Sequence, residues 1–94
     1  MKAVFYSENG GPEVMTYGEH PDPEIGEHDV LVRNVAISIE GGDLLNRLLS
    51  PPERTPFVPG YQAGGVVEAV GAGVTRFSPG QRVVAFNWSG SHAE

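Results

Sequence analysis

Cysteine is absent from this sequence of 94 residues. Its absence excludes disulfide bonds, thiolate catalysis and cysteine-ligated zinc sites. Long apolar runs are missing too. No stretch approaches the roughly 20 residues that a transmembrane helix requires, and the N-terminus lacks the apolar core of a signal peptide. We therefore expect no membrane association and a cytoplasmic location.

Basic residues are scarce. Six lysines and arginines stand against twelve acidic residues, which gives a net charge of −6. A nucleic-acid-binding protein shows the opposite balance, so we expect no nucleic-acid partner. Five of the acids lie within residues 19–29, among prolines and a glycine. This segment predicts a solvated loop, with an acidic partner-binding face as the alternative.

Glycine and proline are abundant, with 13 and 8 residues, and valine is the main apolar residue. This composition favours short strands joined by turns. The candidate strands are residues 2–6, 14–17, 29–39, 63–70 and 82–86. In the third strand the apolar alternation changes phase near Arg33-Asn34, which predicts a bulge. Gly64 and Gly65 indicate a close approach of another backbone or a ligand. The expected core residues are Val66, Val67, Val70, Val83 and Val84, flanked by Phe5 and Phe86.

Four of the five leucines lie at positions 44, 45, 48 and 49, where they share one face at helical spacing. They predict a short helix over residues 43–49, with Asp43 as its N-cap and Ser50-Pro51-Pro52 as its end. Together the elements predict one domain over residues 1–94. Its fold class is mainly β, a small, partly open β-barrel with one short helix near 43–49.

The short motifs argue against a nucleotide-binding loop. Gly71-Ala72-Gly73 begins like a dinucleotide fingerprint, but Arg76 occupies its last position and turn residues follow in place of a helix. We interpret this segment as a hairpin turn. His20 and His28 lie among carboxylates and are interpreted as solvated, with a weak surface metal site as the alternative.

One long motif is more informative. Residues 56–71 have the sequence PFVPGYQAGGVVEAVG, and residues 74–83 have the sequence VTRFSPGQRV. These segments resemble the catalytic, GroES-like domain of the medium-chain dehydrogenase/reductase superfamily, and within it the quinone oxidoreductase branch. The opening MKAV, residues 23–33 and the final GSHAE follow in the family's order. The resemblance therefore covers the whole chain.

The resemblance implies an enzyme that transfers a hydride from NADPH or NADH to a quinone, an enone or another carbonyl. In this family a Rossmann domain, which follows the catalytic domain, holds most of the cofactor. We therefore expect residues 1–94 to be a truncated N-terminal catalytic domain that lacks this partner domain and is inactive alone. For the full-length protein, the resemblance implies a homo-oligomer.

The same resemblance predicts an enzyme without zinc. Where zinc-dependent relatives carry a cysteine ligand this chain has Glu40, and where they carry Gly-His-Glu it has Gly60-Tyr61-Gln62. Tyrosine and glutamine are poor zinc ligands, so we expect no metal. Glu40 is either a group of the cleft or a carboxylate at the start of the helix.

The resemblance also supplies the candidate residues of the substrate or cofactor cleft: Ser38, Glu40, Tyr61 and Gln62. Without zinc, other donors must polarise the acceptor oxygen, and the Tyr61 hydroxyl or the Gln62 amide could do so. Alternatively, Tyr61 packs at the barrel rim and Gln62 fixes the loop backbone. Asp43 and Asn46 are expected to organise the loop and the helix.

A second hypothesis is a non-catalytic binding module of the GroES co-chaperonin type, which shares the length, the acidity and the barrel. Such a module needs an early mobile loop that carries an apolar tripeptide. The early loop here, residues 19–29, has Ile25 as its only large apolar residue. We therefore prefer the oxidoreductase.

Overall fold

The computed structural model describes all residues from Met1 to Glu94. Two open antiparallel sheets and one α-helix make up the fold. The elements are β1 (Lys2–Phe5), β2 (Thr16–Glu19), β3 (Val30–Ile37), α1 (Gly41–Leu49), β4 (Gln62–Val70) and β5 (Arg82–Phe86), with a 3-10 turn at Pro12–Val14. β1 pairs with β2, and the second sheet has the order β3-β4-β5. The predicted class, mainly β with one short helix and an incomplete barrel, is confirmed. No helix has the length and apolarity needed to cross a bilayer.

The predicted irregularity of β3 is present. Its register against β4 shifts between Leu31 and Val32 and again between Asn34 and Ala36. The second shift frees the Asn34 side-chain amide, which donates to the carbonyls of Ser91 at 3.1 Å and Ala93 at 2.8 Å. The bulge therefore ties the end of the chain to the edge of β3.

The predicted close backbone approach holds at Gly65 and not at Gly64. A Cβ atom on Gly65 would lie 2.2 Å from the Arg33 carbonyl oxygen, whereas a Cβ on Gly64 would meet nothing within 4 Å. Only glycine therefore allows β3 and β4 to pair at this position.

The predicted N-cap was wrong. α1 starts at Gly41 with Glu40 as its N-cap, so Asp43 is the third helical residue. The Asp43 carboxylate instead accepts a hydrogen bond from the Glu40 backbone N–H, at 3.0 Å. This bond is one half of a capping box, in which the side chain of the third helical residue accepts a hydrogen bond from the backbone N–H of the N-cap residue. The predicted end is confirmed, with Ser50 as the C-cap before the two prolines.

The predicted core was correct at Val67, which is 1% exposed, and wrong at two positions on β5. Val84 is 86% exposed and Phe86 is 61% exposed. Side chains alternate between the two faces of a strand, and on β5 it is Val83 and Ala85 that face inward. The other expected core residues, Val66, Val70, Val83 and Phe5, are half-buried. The fully buried apolar side chains are Ala3, Tyr6, Ala63 and Val67.

Val67→Ala should lower the free energy of unfolding by about 1–3 kcal/mol, because it removes two buried methyl groups and leaves a cavity. Val84→Ala makes the same chemical change on an exposed surface and should alter it by less than about 0.5 kcal/mol. Urea unfolding of both variants measures the difference. Equal losses of unfolding free energy would show that the side chains of β4 and β5 do not face as described.

Tyr6 should titrate late. It is 2% exposed, and burial raises the pKa of its hydroxyl, an effect that the Arg47 charge partly opposes. The unfolded chain therefore loses this proton first as pH rises, so the free energy of unfolding should fall above the ordinary tyrosine pKa. Absorbance at 295 nm should show a late phase that disappears in Tyr6→Phe. A titration without that phase would contradict the burial of the hydroxyl.

Candidate functional site

The candidate residues converge where β3 ends and β4 begins. Ser38 follows β3, Glu40 caps α1, Tyr61 precedes β4 and Gln62 is the first residue of that strand. Since β3 and β4 are antiparallel, these ends are adjacent, and the Ser38 backbone N–H donates to the Gln62 carbonyl at 3.4 Å. All four residues are half-buried.

Gln62 joins two of the other candidates through its side chain. The Ser38 hydroxyl donates to the Gln62 amide oxygen at 3.3 Å, and the Gln62 amide nitrogen donates to Glu40 Oε1 at 2.6 Å. Glu40 is therefore the N-cap of α1, and its carboxylate also accepts a hydrogen bond from Gln62. The Gln62 side chain thus forms hydrogen bonds with the side chains of Ser38 and Glu40.

Tyr61 is oriented by α1. Asn46 Nδ2 donates to the Tyr61 hydroxyl oxygen at 2.5 Å, so the hydroxyl proton is free to point at another acceptor. The ring lies across the first turn of the helix, where a Cβ on Gly42 would be 2.9 Å from a ring carbon. Sequence reasoning missed Gly42, although two successive glycines at a helix start are a signal of close approach.

Aromatic rings surround Tyr61. Phe86 and Trp88 lie with ring centroids 6.3 and 6.1 Å from it, and the Trp88 ring is edge-on. A cavity of about 410 Å³ opens beside this group, and Tyr61, Asn46, Phe57 and Trp88 are among its lining residues. Tyr61 thus packs among aromatic rings and also lines a cavity.

A buried polar pair, Asp43 and His92, adjoins the candidate residue Ser38. Asp43 is 6% exposed and His92 is 8% exposed, with His92 Nε2 3.6 Å from Asp43 Oδ2 and 3.4 Å from the Ser38 carbonyl oxygen. The other Asp43 carboxylate oxygen is buried without a hydrogen-bond partner. Sequence reasoning gave Asp43 a local role and did not identify His92, whose sequence neighbours carry no sign of its burial.

The charged candidate side chains at the site, Glu40 and Asp43, are both acidic. Arg47 is on the same helix, but its guanidinium group donates to the Gly10 carbonyl at 3.2 Å and contacts the Met15 sulfur at 3.7 Å, toward β2. No group of three or more histidine, aspartate or glutamate side chains is arranged to hold a metal ion. The site can thus offer neutral donors and carboxylate acceptors to a ligand.

Comparisons with known proteins agree with this architecture. A sequence model of the family described as "Alcohol dehydrogenase GroES-like domain" matches residues 26–94. The quinone oxidoreductase of Pseudomonas aeruginosa is 41% identical over 83 residues, which cover 87% of this chain and 26% of the relative. That of Lama guanicoe is 38% identical over 100 residues, which cover 100% of this chain and 30% of the relative. The structure of Escherichia coli quinone oxidoreductase complexed with NADPH has a TM-score of 0.89 at 34% identity, covering 97% of this chain and 28% of that chain.

The open β-rich fold and the family match define a GroES-like domain of the dehydrogenase type. The chain belongs to the alcohol dehydrogenase GroES-like domain family. The resemblance to the quinone oxidoreductase branch is confirmed, since both sequence relatives and the structural neighbour are quinone oxidoreductases. The co-chaperonin hypothesis gains no support from them. The chain spans between 26% and 30% of the length of the two sequence relatives.

Proposed function

We propose that this chain supplies the catalytic-domain part of an NADPH- or NADH-dependent oxidoreductase that reduces quinones, enones or other carbonyl compounds. The observation that carries the proposal is the Tyr61 hydroxyl, which accepts a hydrogen bond from Asn46 and belongs to a residue that lines a cavity of about 410 Å³. The Ser38–Gln62–Glu40 cluster adjoins Tyr61 in the chain and does not line that cavity. The two sequence relatives are quinone oxidoreductases, which supports the reaction class. On the family resemblance, we extend the proposal to a cytoplasmic homo-oligomer in which a nucleotide-binding domain is the partner of residues 1–94.

The candidate residues fit the nicotinamide end of such a cofactor, which supplies a hydride when bound. A carboxamide N–H₂ group needs acceptors, and Glu40 Oε2 and the Ser38 oxygen have lone pairs that the cluster does not use. The phosphates of a dinucleotide need basic groups or a free helix N-terminus. Arg47, the one basic residue of α1, is bonded to Gly10 and Met15 instead, so we limit the fit to the uncharged end.

Tyr61 is the residue placed to act on the acceptor. An acceptor oxygen gains negative charge as it is reduced, and a fixed hydroxyl donor stabilises that charge most where water is excluded. The faces of Tyr61, Phe57 and Trp88 would pack against a flat ring in the cavity. The proton that completes the reduction comes from solvent through the same hydroxyl.

We propose that the enzyme works without zinc. The positions that carry ligands in zinc-dependent relatives hold Glu40 and Tyr61, and both side chains are already bound, by Gln62 and Asn46 respectively. Elemental analysis of protein purified without a histidine tag should therefore find well below one zinc per chain. One zinc per chain that is lost in Glu40→Gln would overturn this part of the proposal.

The activity is best tested in a chimera in which this chain replaces the matching part of Pseudomonas aeruginosa quinone oxidoreductase. The chimera should oxidise NADPH when a quinone is added, whereas the 94-residue chain alone should not. Tyr61→Phe in the chimera should lower kcat about a hundredfold, the usual cost of losing one transition-state donor. KM for the quinone should change little, because the ring is retained.

Tyr17→Phe is the matched control for that variant. Tyr17 is 72% exposed on β2 and does not line the cavity, so removing its hydroxyl should leave kcat unchanged. The proposed function is contradicted by a folded chimera that binds NADPH but oxidises it no faster in the presence of any quinone, enone or carbonyl tested.

A further inference from the structure

His92 lies where three segments of the chain meet. Its backbone N–H donates to the Pro59 carbonyl at 3.0 Å, and its own carbonyl accepts from the Val4 N–H at 2.9 Å. Its ring reaches the third segment, with Nε2 3.4 Å from the Ser38 carbonyl oxygen. The side chain is almost fully enclosed, at 7% exposure. A buried polar ring with this many fixed contacts has one available orientation.

The neighbours of Nε2 define which ring nitrogen carries a proton. The Ser38 carbonyl can only accept a hydrogen bond. Asp43 Oδ2, 3.6 Å from Nε2, already accepts from the Glu40 backbone N–H. A bare Nε2 would face two oxygen atoms with no proton between them, which is unfavourable in a buried site. These two contacts favour the tautomer of His92 that carries its proton on Nε2.

Residues 38–43 carry two of the candidate residues, and residues 59–62 carry the other two. The His92 ring contacts both ends of the first segment, at Ser38 and Asp43, while its backbone is bonded to the start of the second at Pro59. The bond from Gln62 to Glu40 spans the gap between the two segments.

We propose that His92 is a positioning residue: its Nε2–H holds residues 38–43 against residues 59–62 and so sets the hydrogen bond between Gln62 and Glu40. Its consequence for catalysis rests on the proposed function. The position of the ring is itself constrained by Gly60, where a Cβ would lie 2.4 Å from a His92 ring carbon. The backbone at Gly60 leaves room for the imidazole and little room for it to shift.

The first test needs no substitution. In a ¹H–¹⁵N long-range NMR spectrum of the 94-residue chain, His92 should show a slowly exchanging Nε2-bound proton. His28, whose side chain is 80% exposed, is the internal control and should show rapid exchange with water. An Nδ1–H tautomer at His92, or a ring proton that exchanges as fast as that of His28, would overturn the proposal.

The second test compares His92→Phe, which keeps the ring volume and removes the donor, with His92→Gln, which restores an N–H donor. His92→Phe should shift the NMR signals of the Gln62 side-chain amide and the Glu40 carboxyl carbon, and His92→Gln should bring them back toward the original values. If His92 only fills space, Phe should preserve these signals better than Gln. Signals closer to the original values in His92→Phe than in His92→Gln would also overturn the proposal.

The catalytic consequence is measured separately in the chimera. His92→Phe should lower kcat about tenfold to a hundredfold, as displacement of a reacting group by about 1 Å does, and His92→Gln should recover most of the loss. If the NMR results hold but the unsubstituted chimera is inactive, the proposed function fails and the positioning role stands. If the unsubstituted chimera is active and His92→Phe leaves kcat unchanged, the consequence for catalysis is wrong.

Discussion

The antiparallel pairing of β3 with β4 is the constraint on which the candidate site depends. It places the end of one strand opposite the start of the other, and it requires Gly65, because any side chain there would collide with the Arg33 carbonyl. Just beyond the ladder, Ser38 meets Gln62 through both backbone and side chain. The side-chain cluster is therefore a consequence of a backbone contact inside the sheet, and the site cannot be moved without changing the sheet register.

Polar contacts contribute an unusual share of the structure's specificity. Only 10 of 94 residues are buried, and Asp43, Ser91 and His92 are three of them. Burying a polar group without a partner costs free energy. The Asp43–His92 contact lowers that cost for one Asp43 oxygen, whereas the other Asp43 oxygen and the Ser91 hydroxyl are buried without a partner. Structural and functional effects of substitution here can be separated only by variants that keep shape and change one donor.

The sequence predicted the elements better than it predicted which way they face. Alternation located β5 at its observed bounds, yet both of its faces are apolar, and only the position of the strand in the sheet decides that Val83 is inside and Val84 outside. Leucine spacing located α1 and its end but not its buried side, since Leu44, Leu45, Leu48 and Leu49 are all at least 47% exposed and Asp43 is the buried residue of the helix. The first turn depends on which carboxylate accepts from which backbone N–H. His92 was beyond sequence reasoning, because its burial comes from three segments that are distant in sequence.

The start of α1 is occupied by acidic side chains of the chain itself. A helix N-terminus carries partial positive charge and in many proteins receives a phosphate. In this chain two carboxylates already occupy that position: Glu40 as the N-cap and Asp43 in the first turn. The helix dipole stabilises these acids in a half-buried site, which explains how they are tolerated there without a basic partner from the same helix. The same acids would repel a phosphate. The start of this helix is therefore unsuited to hold a phosphate group.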